Sequence, residues 1–497
     1  MINPIALIIP LLNYVLQTYP RIFNPFFGVD VWTRLLEIDQ VKKSGHRIPK
    51  KELAGQFIIS GYFDYPPVFP FVLSYFPKKF LLRWQGFIAP LFDVAQLIFL
   101  FLLARYLTGS VTVGLLAQLF YALTPMLAIE NSYLTPRSLG YFNLSLAVIP
   151  LLLFMYIHNP AFLVIGFIFS VFIFLTHRFA AQSFLFTTLI FTFVLNTPLF
   201  IQVFLLAFAT ATAITGGYYL RVLKGHLNNI YFWVCNLDYR FAHQVRGVIT
   251  AKKQTDWVGQ IYNLMSIFSP IAVFGLNPWI VSGFVVLGMQ YGGMMTFSSL
   301  FLAFAWWIVG FYAFATIVLK VKYLMPIGEG QRYLEMVAVP ATLLSGYLVM
   351  LLLDSPWRAL TLVGVAVACL GVLATIVFIQ IKGIIKDKNR SLTADLSAVF
   401  KFINKMPKAP RVICVPHQNT TLLLYHTKAQ VLVNADNPGL LKIQDWYPIL
   451  RKSIKQLGKE YKLTHVLVRE SFVSLKEIGL VKKNAVFSSG DVHLIKL

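Results

Sequence analysis

Long apolar runs cut this chain into segments, and the polar stretches between them alternate between charged and nearly empty. The runs cover 2–19, 87–106, 111–129, 138–157, 160–176, 179–195, 199–220, 264–289, 297–319, 334–353 and 359–382. Each is close to the roughly 20 residues that a helix needs to cross the hydrocarbon core of a bilayer, which predicts about eleven spans. One set of connections holds little more than Arg105, His158, Asn196 to Pro198, an uncharged Gly/Met stretch near 290–296, and Asp354 with Arg358. The other set comprises 21–86, 130–137, 176–178, 221–261, 320–333 and the tail that begins at the basic edge Lys382 to Arg390. Of 43 Lys and Arg, only Arg105 and Arg358 lie outside this second set. The pattern predicts a polytopic α-helical membrane protein whose polar chemistry occupies one face.

Composition supports the class. A mean hydropathy of +0.69, with 57% hydrophobic and 13% charged residues, lies outside the soluble globular range. The net charge of +23 is carried by loops that border the bilayer, where anionic headgroups and lipid phosphates are the nearest partners. No basic stripe with interleaved aromatics stands apart from the spans, so nucleic acid is not expected as a partner. Cys235, Cys369 and Cys414 form no disulfide framework. The run from Ile2 to Tyr19 lacks a positive n-region and an A-x-A cleavage site, which predicts a retained first span.

The chain divides by composition into a transmembrane domain, 1–382, and a small soluble α/β domain, 383–497. The first long loop, 21–86, contains Val31, Leu35, Ile38 and Val41 at helical spacing, which predicts an amphipathic helix lying at the membrane interface. Tyr65-Pro66-Pro67 closes that loop in an extended conformation. The second loop, 221–261, is basic and aromatic and reads as partly disordered. Pro270 and Pro278 break the run 264–289. In the tail, strands are expected at Val412–Val415, Leu422–Tyr425, Val431–Val433, Val466–Val468 and Val492–Ile495. Helices are expected at 394–405 and 446–460, with a hairpin turn at Ser488-Ser489-Gly490-Asp491.

No phosphate-binding G-x-x-x-x-G-K-[ST] loop, H-E-x-x-H pair or cysteine-based zinc spacing occurs. What remains is a set of polar residues at span ends on the charged face: Asp30, Asp64, Glu130, Arg137, His177, Arg178, Glu329 and Arg332. Each has a plain structural role open to it. An arginine at a span end is ordinarily a snorkelling anchor, His177 serves equally to cap the preceding helix, and Asp64 starts the turn before Tyr65.

The opening of the chain combines a short first span, Gly28-Val29-Asp30, the segment Gly45-His46-Arg47-Ile48-Pro49, and Tyr65-Pro66-Pro67 before the second span. Later, Gln331-Arg332-Tyr333 precedes an apolar span that contains Pro340. Over most of 1–382 this layout resembles the GT-C superfamily of membrane glycosyltransferases, which includes protein O-mannosyltransferases, oligosaccharyltransferase catalytic subunits and bacterial transferases that use polyprenyl-phosphate sugars. The resemblance implies an integral membrane glycosyltransferase that inverts the anomeric centre. Its donor would be a polyprenyl-phosphate-linked sugar, its acceptor a glycan, lipid or protein, and its active face and C-terminal domain extracytoplasmic. The positive-inside rule, taken alone, places the same loops in the cytoplasm.

Under that resemblance Asp30 is the candidate base, and Arg332, Arg178, His177 and Arg137 are the candidate ligands of the donor phosphate. Asp64 and Glu130 are supporting acids, and His46, Tyr65 and Tyr333 line the substrate cavity. The residue types suit the reaction. A sugar leaving on a lipid phosphate departs as a stable anion and needs no general acid, unlike a glycoside. It needs cations on the phosphate, for which the arginine fork is well shaped, and a carboxylate to take the acceptor's proton. A divalent metal, Mg or Mn, is also implied, but no ligand set is assigned. Arg137-Ser138-Leu139-Gly140-Tyr141-Phe142-Asn143 lacks the acidic pair that oligosaccharyltransferase subunits carry after span three, and no W-W-D-type motif is present. The rival classes are a transporter or flippase of lipid-linked sugars, whose ionisable residues would sit near mid-bilayer on broken helices, and a noncatalytic assembly subunit.

Overall fold

Proline and short polar clusters set the lengths of the helices. In the computed structural model, which describes residues 4–50, 57–59, 61–240, 242–247, 269–432 and 440–497, the helices up to Cys235 are α1 (Ile8–Phe23), α2 (Asp30–Lys43), α3 (Val68–Ser74), α4 (Lys78–Thr108), α5 (Val111–Ala122), α6 (Pro125–Glu130), α7 (Arg137–Ile157), α8 (Pro160–Thr176), α9 (Arg178–Val194), α10 (Leu199–Ile214) and α11 (Tyr218–Cys235). The run 111–129 is cut at Thr124-Pro125 into α5 and α6, because a proline cannot donate to the helical ladder. The run 264–289 is cut before Pro278, as its prolines predict, into Pro270–Leu276 and Val281–Tyr291; residues 264–268 lie outside the described residues. Among the described residues four helices are long and apolar enough to cross a membrane: Lys78–Thr108, Arg137–Ile157, Ser299–Lys320 and Arg358–Ile385. A fifth span is added if α10 and α11, joined through Gly216 and Gly217 at positive φ, are counted as one broken crossing.

The chain folds into two compact units. The first comprises 1–25, 84–220 and 254–386. Two glutamines fasten it from within. Gln118 on α5 donates to the carbonyls of Ala6 and Leu97, both at 3.0 Å, and Gln380 donates to the carbonyls of Leu16 and Ala128 at 2.9 and 3.1 Å. Each amide satisfies two backbone acceptors from different parts of the chain.

The second unit comprises 26–83, 221–253 and 387–497, so both long loops fold together with the C-terminal domain. Its sheet has the order β2-β1-β3-β5-β4, from β1 (Arg411–Val415), β2 (Gln430–Val431), β3 (His465–Arg469), β4 (Ala485–Ser489) and β5 (Val492–Lys496). β1 pairs in parallel with β2 and β3, whereas β5 runs antiparallel to β3 and β4. Ile413, Val415, Val466, Val468 and Ile495 pack with Trp446, Leu457 and, from α11, Phe232. Leu396, Val399, Phe400 and Ile403 of the helix Ala394–Lys405 are likewise buried.

Several sequence expectations are corrected here. Leu422–Tyr425 is not a strand but lies in the helix Asn419–His426, since its three leucines continue a helical turn begun by Asn419, Thr420 and Thr421. Only Ile454–Glu460 of 446–460 is helical, started by a capping box at Ser453 and Gln456. Val433 lies outside the described residues. The segment 221–235 is helix, and 242–247 is pinned: the Gln244 side chain donates to the Trp446 carbonyl at 2.9 Å and accepts the His417 amide at 2.9 Å. Residues 248–261 lie outside the described residues. The amphipathic helix forms as α2, yet Val31, Leu35, Ile38 and Val41 are sealed by protein instead of lipid, with Trp32 set against Tyr425 and His426.

Candidate active site

In the first unit, the short turn between α6 and α7 brings an acid and an arginine together. Glu130 ends α6 and Arg137 begins α7, where the Thr135 hydroxyl accepts the Arg137 amide at 3.3 Å. The Arg137 guanidinium bonds the Glu130 carboxylate, which also accepts the Tyr133 hydroxyl at 2.9 Å. Burial would raise the Glu130 carboxyl, but Arg137 and then Arg332 outweigh it and hold the group down to about 2. Arg332 pairs with Glu329 at 2.6 Å, and both members of that pair are about a third exposed. Two arginines and two acids thus share one place, with Arg332 and Glu130 open to solvent and Arg137 sealed behind them.

His177 and Arg178 stand at the junction of α8 and α9. The His177 ring accepts the Ala180 amide at 3.3 Å and so caps α9, while its own backbone amide closes α8 on the Ile173 carbonyl at 3.4 Å. Gly140 of α7 lies so close that a Cβ there would approach the His177 ring nitrogen to 3.2 Å. Arg178 lies within electrostatic reach of Tyr219. Tyr333 is fully buried: its hydroxyl accepts Gln182 at 3.0 Å and donates to the Ile327 carbonyl at 3.3 Å, among Phe179 and Phe314. The structure therefore gives Tyr333 the work of holding the Ile327–Gly330 turn.

In the second unit, Asp30 is exposed in the first turn of α2, where the helix dipole favours a carboxylate. The turn before it is fixed by Gly28, at φ +110, whose amide donates to the Arg390 carbonyl at 2.9 Å. A side chain at position 28 would be strained. Asp64 is buried, and Tyr65 beside it lies under Arg34, whose guanidinium carbon is 3.7 Å from the ring centroid. His46 bonds Ser74 at 2.8 Å and stacks on Tyr75 at 4.3 Å.

Among the described residues no three His, Cys, Asp or Glu side chains come together as metal ligands, and Glu130 is already engaged by Arg137 and Tyr133. Among the described residues this donor set does not fit a divalent ion.

The fold has known counterparts. The crystal structure of ArnT from Cupriavidus metallidurans bound to undecaprenyl phosphate superposes with a TM-score of 0.60 at 13% identity, covering 98% of this chain and 97% of that one. The Archaeoglobus fulgidus oligosaccharyltransferase complexed with Zn and sulfate gives 0.55 at 12% identity, covering 93% of this chain and 68% of that one. The same enzyme tethered to an acceptor peptide with an NVT sequon gives 0.58 at 11% over the same shares. This chain has the GT-C fold. No protein-family model matches it, and no curated protein matches it by sequence. The GT-C fold accounts for most of its length, in agreement with the resemblance carried by Asp30, Tyr65-Pro66-Pro67 and Gln331-Arg332-Tyr333.

Sequence reasoning missed two buried acids in the first unit. Asp93 lies midway along α4, and Glu335 follows Arg332 by one turn; they are 0% and 2% exposed. A lone aspartate inside an otherwise apolar run was the available signal.

Proposed function

We propose that this protein is an integral membrane glycosyltransferase that takes a sugar from a polyprenyl-phosphate-linked donor. The observation that carries the reading is the cluster of the Arg332–Glu329 pair and Glu130, each about a third exposed, with Arg137 sealed behind them, on a GT-C fold, one of whose other bearers was solved with undecaprenyl phosphate bound. Arg332 and Arg137 take the donor's phosphate, with Arg178 and His177 assisting, since charge-assisted and bidentate contacts suit phosphate oxygens. Glu130 and Glu329 hold the two guanidinium groups in place and release them to the phosphate oxygens when donor binds. Asp30 accepts the acceptor's proton as that oxygen or nitrogen bonds to the anomeric carbon. The bond from that carbon to the phosphate oxygen breaks at the same time, and the lipid phosphate leaves as an anion stabilised by the arginines. Asp64 supports Asp30, while His46 and Tyr65 line the acceptor side. About eleven crossings and an extracytoplasmic active face complete the reading. A transmembrane domain over 1–382 and a soluble α/β domain over 383–497 belong to the same reading.

The test incubates purified full-length protein with radiolabelled polyprenyl-phosphate sugars and candidate glycan, lipid and protein acceptors, and measures released polyprenyl phosphate. Asp30→Asn should lower turnover by at least about 100-fold, the scale of lost general-base catalysis, while the protein still inserts and folds. Near-normal turnover removes Asp30 from the mechanism. Movement of intact lipid-linked sugar across vesicles without release of lipid phosphate would replace a transferase with a transporter.

A further inference from the structure

The middle of the first unit contains a polar cluster that the proposed transfer does not use. Asp93 accepts hydrogen bonds on both carboxylate oxygens, from the Tyr121 hydroxyl at 3.0 Å and from the Asn131 amide at 2.7 Å, and the Gln17 amide also bears on it. A protonated acid must give a hydrogen from one oxygen, whereas donors on both oxygens suit the anion. All three of these neighbours are neutral. Asp93 stands midway along the long apolar helix α4, and an unbalanced carboxylate at the centre of a membrane-spanning helix costs at least about 2.5 kcal/mol; such residues mark ion or substrate positions.

The surroundings supply acceptors without protein donors. Both oxygens of Glu335, the free oxygen of Asn131, and the amides of Gln96 and Asn13 are buried and have no hydrogen-bond partner among the described residues. Gln96 lies one turn from Asp93 on α4, and Asn13 lies one turn from Gln17 on α1, so each shares its neighbour's face. Glu335 is within electrostatic reach of Asp93 and of Arg137. Buried polar atoms left in this state are rare and call for water or an ion.

We propose that α1, α4 and α5 together hold a single, partly hydrated alkali cation against Asp93, with amide and carboxylate oxygens of this cluster as ligands. Carboxylate and amide oxygens are the ligands of hard cations, and the arrangement lacks the nitrogen and sulfur donors of transition metals. A monovalent ion is specified because Asp93, held as the anion by donors on both oxygens, has no Lys or Arg paired with it among the described residues. The unpaired amide N–H groups of Gln96 and Asn13 are met by waters that the ion retains. The inference does not depend on the sugar-transfer reading, because the cluster uses none of its residues as ligands.

The experiment measures equilibrium binding of radioactive Na+ to the full chain in lipid nanodiscs, with K+, Li+, Ca2+ and an organic cation as competitors at constant ionic strength. Saturable binding displaced by alkali ions is expected. Asp93→Asn should abolish it, and Gln96→Leu, a milder change, should weaken it about tenfold, the scale of one hydrogen bond to a charged group. Wild-type protein that shows no saturable alkali-cation binding, binding that Ca2+ competes for better than Na+ or K+, or unchanged binding in folded Asp93→Asn would each overturn the proposal. Should Asp93→Asn fail to fold, the wild-type measurement and Gln96→Leu still decide.

Discussion

Two arginine–glutamate pairs in this protein look alike in a list of contacts and differ in what surrounds them. In the second unit, Arg34 and Glu37 lie one turn apart on α2, at 2.6 and 2.8 Å, with side chains 8% and 11% exposed, and Arg34 is also stacked on Tyr65. In the first unit, Arg137 is equally sealed, but its partner Glu130 is 33% exposed and stands beside the open pair of Arg332 and Glu329. A pair closed on both sides is fixed by the fold and has nothing left to offer a ligand. A pair whose acid is open can release its arginine to a phosphate while water takes up the carboxylate, at modest cost. The accessibility of the acid, more than that of the arginine, separates structural from functional cations here.

The largest effect expected from this comparison is on stability. Arg34→Met takes from the buried Glu37 carboxylate the guanidinium that holds both of its oxygens, and should destabilise the protein by about 3–5 kcal/mol in denaturant titrations followed through the second unit. A change below about 1 kcal/mol would mean that the sealed pair is no more structural than a surface one. Next in size is the open pair. Arg332→Ala should weaken binding of polyprenyl phosphate by roughly tenfold or more while changing stability by less than about 1 kcal/mol, with Lys restoring only part of the affinity. If stability falls and affinity does not, Arg332 belongs with Arg34.

Protonation gives a third way to sharpen the contrast. His417 lies beneath Tyr447, and its burial pushes its pKa down to about 4; His426, between Trp32 and Phe400, is lowered to about 4 by burial and then by Lys78. In the unfolded chain both titrate near 6.5, so between these values the unfolded state binds more protons than the folded one. Their contribution is therefore whole above about pH 6.5 and is lost as pH falls toward 4, by at most about 3 kcal/mol for the sealed His417. Unfolding midpoints of the second unit at pH 7 and 4.5 should show this loss, and His417→Gln should shrink it. The smallest effect is at Glu130, whose carboxyl is depressed: its contribution is whole above the ordinary carboxylate value near 4.5 and fades only as pH drops toward 2. Lipid-phosphate binding should consequently show no carboxylate titration from Glu130 between pH 5 and 8, and an inflection there that Glu130→Gln removes would contradict the ion pair.

Much of this was legible from the chain. The period of Val31, Leu35, Ile38 and Val41 specifies α2, and the β-branched runs at 412–415, 466–468 and 492–495 specify three strands of the sheet, because one buried face imposes one spacing. Periodicity does not say what covers a face, so α2 could be assigned to lipid when Tyr425 and His426 cover it. Leu422–Tyr425 is too short a run for period alone to separate helix from strand. Within the site, residue type pointed to Arg137, Arg332 and Glu130, which the structure groups, and to Tyr333, which it buries. Exposure is a tertiary property, and no spacing records it. Asp93 was hidden for a related reason: averaging over an apolar run dilutes the one residue whose presence there most needs explaining.

Gln118 and Gln380 have a bearing on how the chain is made. The first helix is only 16 residues long and turns Asn13, Gln17 and Arg21 to its buried side, so it is a poor candidate for stable insertion when it first leaves the ribosome. The amides that bind the carbonyls of Ala6 and Leu16 are supplied by residues synthesised more than 100 and more than 350 positions later. During biosynthesis α1 is without these two clasps until residues 118 and 380 have been made, so a segment made before either of them is among the last to become secure.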